Sequence, residues 1–144
     1  MKNIDSFSKS KQRETEHFIQ LIRIAFSNNI FSRTERELLY RTGGRLGFSV
    51  VEVEALIEKT VNSDYVPPDN PSIRFEHAYD LVRMTLADGS MDRNEMKLVN
   101  GYLAKTGFRE SEIPGLLLLL LKGIKENKSR QDLFEIYMKS NSKT

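Results

Sequence analysis

Two stretches of this chain carry the same punctuation. Gly47 stands twelve positions after Glu35, as Gly107 does after Glu95, and the glycine is followed in both by phenylalanine, Phe48 and Phe108. Upstream, Ile24-Ala25 and Leu86-Ala87 hold matching places, with the first loop two residues longer. Ser32-Arg-Thr-Glu35 reads as a capping box, in which the serine hydroxyl accepts from the glutamate N–H and the glutamate carboxylate reaches back to the serine N–H. Asp92-Arg-Asn-Glu95 repeats that logic with aspartate at the cap. Each half therefore reads helix, loop, capped helix, Gly-Phe, helix. A three-helix unit with one apolar stripe per helix leaves hydrophobic surface bare, and a second copy packed by two-fold pseudo-symmetry would cover it. The fold predicted is all-α: a single-domain bundle of about seven helices built from a duplicated three-helix unit.

The stripes supply the boundaries. Phe18, Leu21, Ile22, Ala25 and Phe26 predict a helix from about Arg13 to Asn28. The second helix follows Ser32 and is expected to end near Gly43-Gly44, where glycine tolerates left-handed backbone. Ser49-Val-Val-Glu52 is a further capping box, opening a stripe of Val50, Val53, Leu56, Ile57 and Val61. Residues 63–71 hold three prolines with Asp and Asn, which cannot continue a helix, so they read as a linker. The repeat halves are then about 13–62 and 72–124, with a C-terminal helix at about 129–140. A helix over Ile73 to Leu86 opens the second half. The next ends near Gly107, and another begins near Ser111, tolerating Pro114 in its first turn.

Charge and composition exclude several function classes. The net charge is +2, from 22 basic and 20 acidic side chains. Neither half is a cationic block, so nucleic acid is not implied. With no cysteine, disulfides, thiolate zinc sites and cysteine nucleophiles are out, which agrees with a cytoplasmic location. The opening residues lack the apolar core of a signal peptide. The longest apolar run, Leu116 to Leu121, is six residues where a membrane span needs about 20, so a soluble, non-spanning protein is expected.

The segment Leu81-Val-Arg-Met-Thr-Leu-Ala-Asp-Gly-Ser-Met-Asp-Arg-Asn-Glu95, followed by Leu103-Ala-Lys-Thr-Gly-Phe108, resembles the signature of TerB-like domains. There a helix runs into Ala-Asp-Gly, an apolar residue, a cap, and the Glu that opens the next helix. Such domains occur in tellurite-resistance proteins and on the amino-terminal side of some membrane-anchored J-domain co-chaperones. Over about Phe18 to Ile124 the resemblance implies an all-α, duplicated, cytoplasmic and non-enzymatic module, linked to tellurite or other stress response. It also implies divalent-cation ligands at the helix–loop–helix junctions. Carried over by position, these are Asp88, Asp92 and Glu95. The first junction departs from the pattern: Phe26 stands opposite Asp88 and Ser32 opposite Asp92, leaving only Glu35.

Read from the residues, that acidic junction has two meanings. Oxygen donors on one loop suit calcium or magnesium, yet an EF-hand starting at Asp88 would need Gly and Glu where Arg93 and Val99 stand. The simpler reading gives Asp92 and Glu95 the capping box and Asp88-Gly89 the turn. His17 and His77 lack a neighbouring second ligand. Arg33, Arg36, Arg41 and Arg45 lie among Glu35 and Glu37, as on a solvated helix face, and Lys122, Lys125, Lys128 and Arg130 read the same way. No catalytic grouping or phosphate-binding loop is visible, so no enzyme is expected. Leu116 to Leu121 would cover a helix's whole circumference. Either that helix is central, or one side of it meets a partner, including a second copy in a homodimer. The function expected is a non-enzymatic binding or regulatory module with a protein partner. The alternative is a cation sensor at Asp88, Asp92 and Glu95.

Overall fold

The computed structural model describes residues 2–25, 32–60, 64–86 and 91–142, with side chains for 12–25, 32–60, 64–86 and 91–140. Among these residues there are seven α-helices and no strand, as the periodicity requires. The chain forms two compact units that divide between Tyr65 and Val66, inside the proline-rich stretch at 63–71.

The first unit holds α1 (Lys2–Ala25), α2 (Arg33–Arg45) and α3 (Val50–Thr60), each packed on the other two. Helix α1 begins well before the Arg13 expected from its stripe. The residues ahead of it, rich in Ser and Lys, carry no apolar period for a sequence reading to detect. Phe18, Leu21, Ile22, Leu38, Leu39 and Val53 are buried at the centre. Phe18 stacks on Phe48, ring centroids 5.6 Å apart, so the Gly-Phe punctuation brings an aromatic back onto α1. Val50 is mostly exposed rather than part of the stripe, because it is the first helical residue after the Ser49 cap.

The end of α2 corrects the sequence reading. The helix runs through Gly43-Gly44 to Arg45, and the left-handed residue is Gly47, with φ +96°. Gly43 serves packing instead: a Cβ there would lie 2.5 Å from a Val53 methyl and 3.0 Å from the Phe18 ring. Only a glycine lets α2 approach α1 and α3 this closely. The C-terminal turn closes when the Phe48 N–H donates to the Gly43 carbonyl at 2.8 Å, a bond of the Schellman type.

The second unit holds α4 (Pro71–Thr85), α5 (Arg93–Lys105), α6 (Ile113–Lys125) and α7 (Arg130–Ser142). Asn70 caps α4, its side-chain oxygen accepting from the Ser72 N–H at 2.8 Å, and Pro71 occupies the first turn. Helix α6 packs against α4, α5 and α7. Its Ile113, Leu116, Leu117 and Leu120 are buried, as are Phe75 and Leu81 of α4 and Val99 and Leu103 of α5. Phe75, Phe134, Tyr137 and Phe108 form an aromatic chain with centroid spacings of 5.3 to 6.1 Å, which fixes α7. Gly107 has φ +109°, as its place after α5 predicts. The chain reverses after α6 with Asn127 at φ +60°, and the Lys128 N–H donates to the Gly123 carbonyl at 2.9 Å. Asparagine here does what glycine does after α2 and α5. No described helix is long and apolar enough to cross a membrane.

Candidate functional site

At the second junction, Asp92 Oδ1 accepts from the Glu95 N–H at 2.7 Å, and Glu95 Oε1 accepts from the Asp92 N–H at 3.2 Å. This capping box puts two carboxylates beside the positive end of the α5 dipole. Asp92 is exposed, whereas Glu95 is buried to 8% exposure, so the box is closed against the protein body. Asp88, the third residue of the expected ligand set, lies outside the described residues, as does the loop opposite it in the first half. Ser32 and Glu35 make the corresponding box, with both bonds 3.1 Å. Ser49 and Glu52 make a third, at 2.9 and 3.1 Å. One local geometry thus accounts for three helix starts whether or not the cap is acidic. Among the described residues, no group of three or more His, Asp or Glu side chains converges as metal ligands do.

The histidines and the basic positions fall into place around the helices. His17 lies 3.9 Å from Glu14 on the same face of α1. Arg33 pairs with Glu37 at 3.3 Å, both well exposed, an arrangement that contributes little to stability. The basic run at the end of α6 divides in two. Lys128 pairs with Glu126 at 3.7 Å, and Arg130 reaches Glu76 at 3.0 Å, tying α7 to α4. Lys122 and Lys125, on α6 itself, form no ion pair with any described residue.

The six leucines are neither wholly central nor wholly superficial. Leu116, Leu117 and Leu120 are buried, Leu119 and Leu121 are half-buried, and Leu118 is 68% exposed. The helix is packed on three sides and bare on the fourth. Gly115, Leu118, Lys122 and Lys125 mark the bare stripe, at the three- and four-residue steps that keep one helical face.

Beside that stripe the surface is concave. A groove of about 280 Å³ lies between α6 and α7, with apolar lining from Gly115, Leu116, Leu119, Ile136 and Tyr137 and polar lining from Ser111, Glu112 and Ser140. Glu112 and Tyr137 also border a second hollow of about 370 Å³, completed by Pro71, Arg74, Gly107, Arg109 and Met138. The Tyr137 hydroxyl donates to Glu112 Oε1 at 3.0 Å, and the Arg109 Nε–H donates to Glu112 Oε2 at 3.3 Å. That bonded pair forms the ridge between the hollows. Arg74 donates from Nε and Nη2 to the Pro68 carbonyl at 3.2 and 3.0 Å, holding the segment before α4 against the second hollow. Sequence reading offered one side of the leucine helix as a meeting place but missed the groove, because it joins α6 to α7 positions whose local spacing carries no signal. The exposed leucine within an otherwise buried run was the available hint.

Chemically, the α6–α7 surface offers apolar area, an open backbone at Gly115 and two cations. Comparison of the chain with models of protein families, with curated proteins and with solved structures gives no match.

Proposed function

We propose that this chain is a non-enzymatic binding module of the TerB-like kind, acting through a protein partner that seats on the α6–α7 surface. The observation that carries the reading is the bare stripe of α6: a large apolar side chain, Leu118, stands 68% exposed beside an apolar groove with Leu119 and Ile136 in its wall. Removing such a side chain from water contributes about 2 kcal/mol, which is more than a tenfold change in a dissociation constant. The TerB-like assignment rests on the residues quoted from Leu81 to Phe108 and draws support from the all-helical fold. Duplication of the two halves belongs to the same proposal. It is supported by the shared capping boxes at Ser32 and Asp92 and by the positive φ angles of Gly47 and Gly107. A cytoplasmic place and a stress-response role come with that assignment.

The test is site-specific photo-crosslinking in cells, with the photoreactive residue at position 118 and a control at the exposed Glu58 of α3. The expected result is a discrete adduct at 118 and not at 58, whose captured protein, once purified, binds the chain and loses affinity about tenfold or more with Leu118→Glu. Binding unaffected by Leu118→Glu would contradict the reading.

A further inference from the structure

Helix α6 carries a knob and a hole side by side. Leu118 projects from the bare stripe. Gly115, one turn earlier, and Leu119, the next residue, line the groove against Ile136. A Cβ on Gly115 would meet nothing within 4 Å, so the groove is open above the glycine. A projecting leucine beside an open recess is the pairing that a two-fold axis can match with itself, since under that symmetry one patch meets the same patch.

The charges point the same way. Lys122 and Lys125 stand at the C-terminal end of the stripe without an ion pair to any described residue, and the sequence of α6 contains no acid. Of the acids at its N-terminal end, Glu112 is already held by Arg109 and Tyr137, and Glu110 stands exposed. Two copies of α6 crossing antiparallel near Leu118 would set Lys122 of each over Gly115 of the other. Each Lys125 would then lie toward the other copy's acidic end. The helix dipoles oppose one another in the same arrangement, whereas a parallel crossing would gather all four lysines.

We infer that the occupant of the α6–α7 surface is a second copy of this chain, paired through antiparallel α6 helices with each Leu118 seated in the other copy's groove. This rests on the reading of that surface as a binding site and names its partner. Burial of Leu118 supplies the affinity, and the lysine-to-glutamate facing supplies the orientation.

The chain has no cysteine, so introduced cysteines report cleanly. Sedimentation of the full chain from about 1 μM to about 1 mM, the range in which a modest interface changes occupancy, is expected to pass from the 16.6 kDa monomer to twice that mass. Leu118→Glu is expected to move the midpoint upward by about tenfold or more. Gly115→Gln fills the recess and is expected to do the same, which keeps the test decisive if the first variant unfolds. Orientation is read from mixed oxidation. Gly115→Cys mixed with Lys122→Cys is expected to give the crossed disulfide faster than either variant gives its own. A single 16.6 kDa species at every concentration overturns the inference, as does a dimer indifferent to both substitutions. Faster like-with-like disulfides overturn the antiparallel pairing. A monomeric chain whose position 118 still captures a different protein would sink the second copy alone and leave the binding surface standing.

Discussion

Gly123 of α6 lies directly against Leu133 of α7: a Cβ on the glycine would sit 2.3 Å from one leucine methyl and 2.7 Å from the other. Leu133 is fully buried, so its methyls have no solvent to move into. The contact sets how closely α7 approaches α6, and with it the width of the groove that Leu119 and Ile136 border.

Gly123→Ala is accordingly expected to destabilise the second unit although alanine is the better helix former. Overpacking costs about 1–3 kcal/mol, against about 1 kcal/mol gained from helix propensity, leaving a net loss of about 1 kcal/mol. Urea denaturation followed by circular dichroism checks this, with a lowered midpoint as the expected outcome. A raised midpoint would mean that α7 can move away freely.

Two other glycines should respond in opposite senses. Gly107 has φ +109° and faces Arg74 Nε, 3.1 Å from a built Cβ. Gly107→Ala is expected to cost about 1–3 kcal/mol for the strained backbone, and Gly107→Val at least as much. Gly101 lies exposed inside α5 with nothing within 4 Å of a Cβ, so Gly101→Ala should gain about 0.5–1 kcal/mol. Thermal melts of the two alanine variants read the contrast.

The caps are separable from their charges. Ser32→Ala and Asp92→Ala each remove a side-chain acceptor from a helix start and are expected to cost about 1 kcal/mol. Asp92→Asn keeps an acceptor in place and should cost only a few tenths, so most of the effect is hydrogen bonding rather than charge. Amide hydrogen exchange at Glu95, whose N–H donates to Asp92 at 2.7 Å, gives a local measure. Faster exchange is expected in the alanine variant and little change in the asparagine one.

Thr42 is a defect in the first unit. It is fully buried, and its Oγ1 has no hydrogen-bond partner among the described residues. Desolvating a hydroxyl without replacing its bond costs about 1–3 kcal/mol. Thr42→Val keeps the branched shape and should therefore leave stability unchanged or raise it by about 1 kcal/mol, measured by the urea midpoint. By contrast Thr60, Thr85 and Thr106 donate to carbonyls of the preceding turn at 2.6 to 2.8 Å, and their valine variants should gain nothing.

What could be read from the sequence was what is local in the chain. Capping boxes span four residues, so Ser32, Ser49 and Asp92 were identifiable, and the bonds found are those expected. The glycine after α5 was equally legible. Gly43-Gly44 misled, because a glycine that ends a helix and one that lets two helices touch look alike until Val53 and Phe18 are in place. Gly123 is a second case of the latter kind, and Asn127 took a left-handed position where glycine would be looked for. The leucine run left two alternatives, a central helix or one with a side free for a partner, and did not say which leucine does which. That division is decided by α4, α5 and α7, and only packing reveals Leu118 as the bare one. Of the acidic set, Asp92 and Glu95 were placed rightly as a cap, while Asp88 lies outside the described residues.

The most direct check is the reactivity of single cysteines toward maleimide, comparing Leu118→Cys with Leu120→Cys in folded protein. In dilute solution position 118 should label at nearly the rate of an unstructured thiol and position 120, which is fully buried, orders of magnitude more slowly. Labelling at 118 should then slow when excess unsubstituted chain, which keeps its own Leu118, is added and occupies the surface. Equal protection of 118 and 120 in dilute protein would contradict the account, since α6 would then have no bare face.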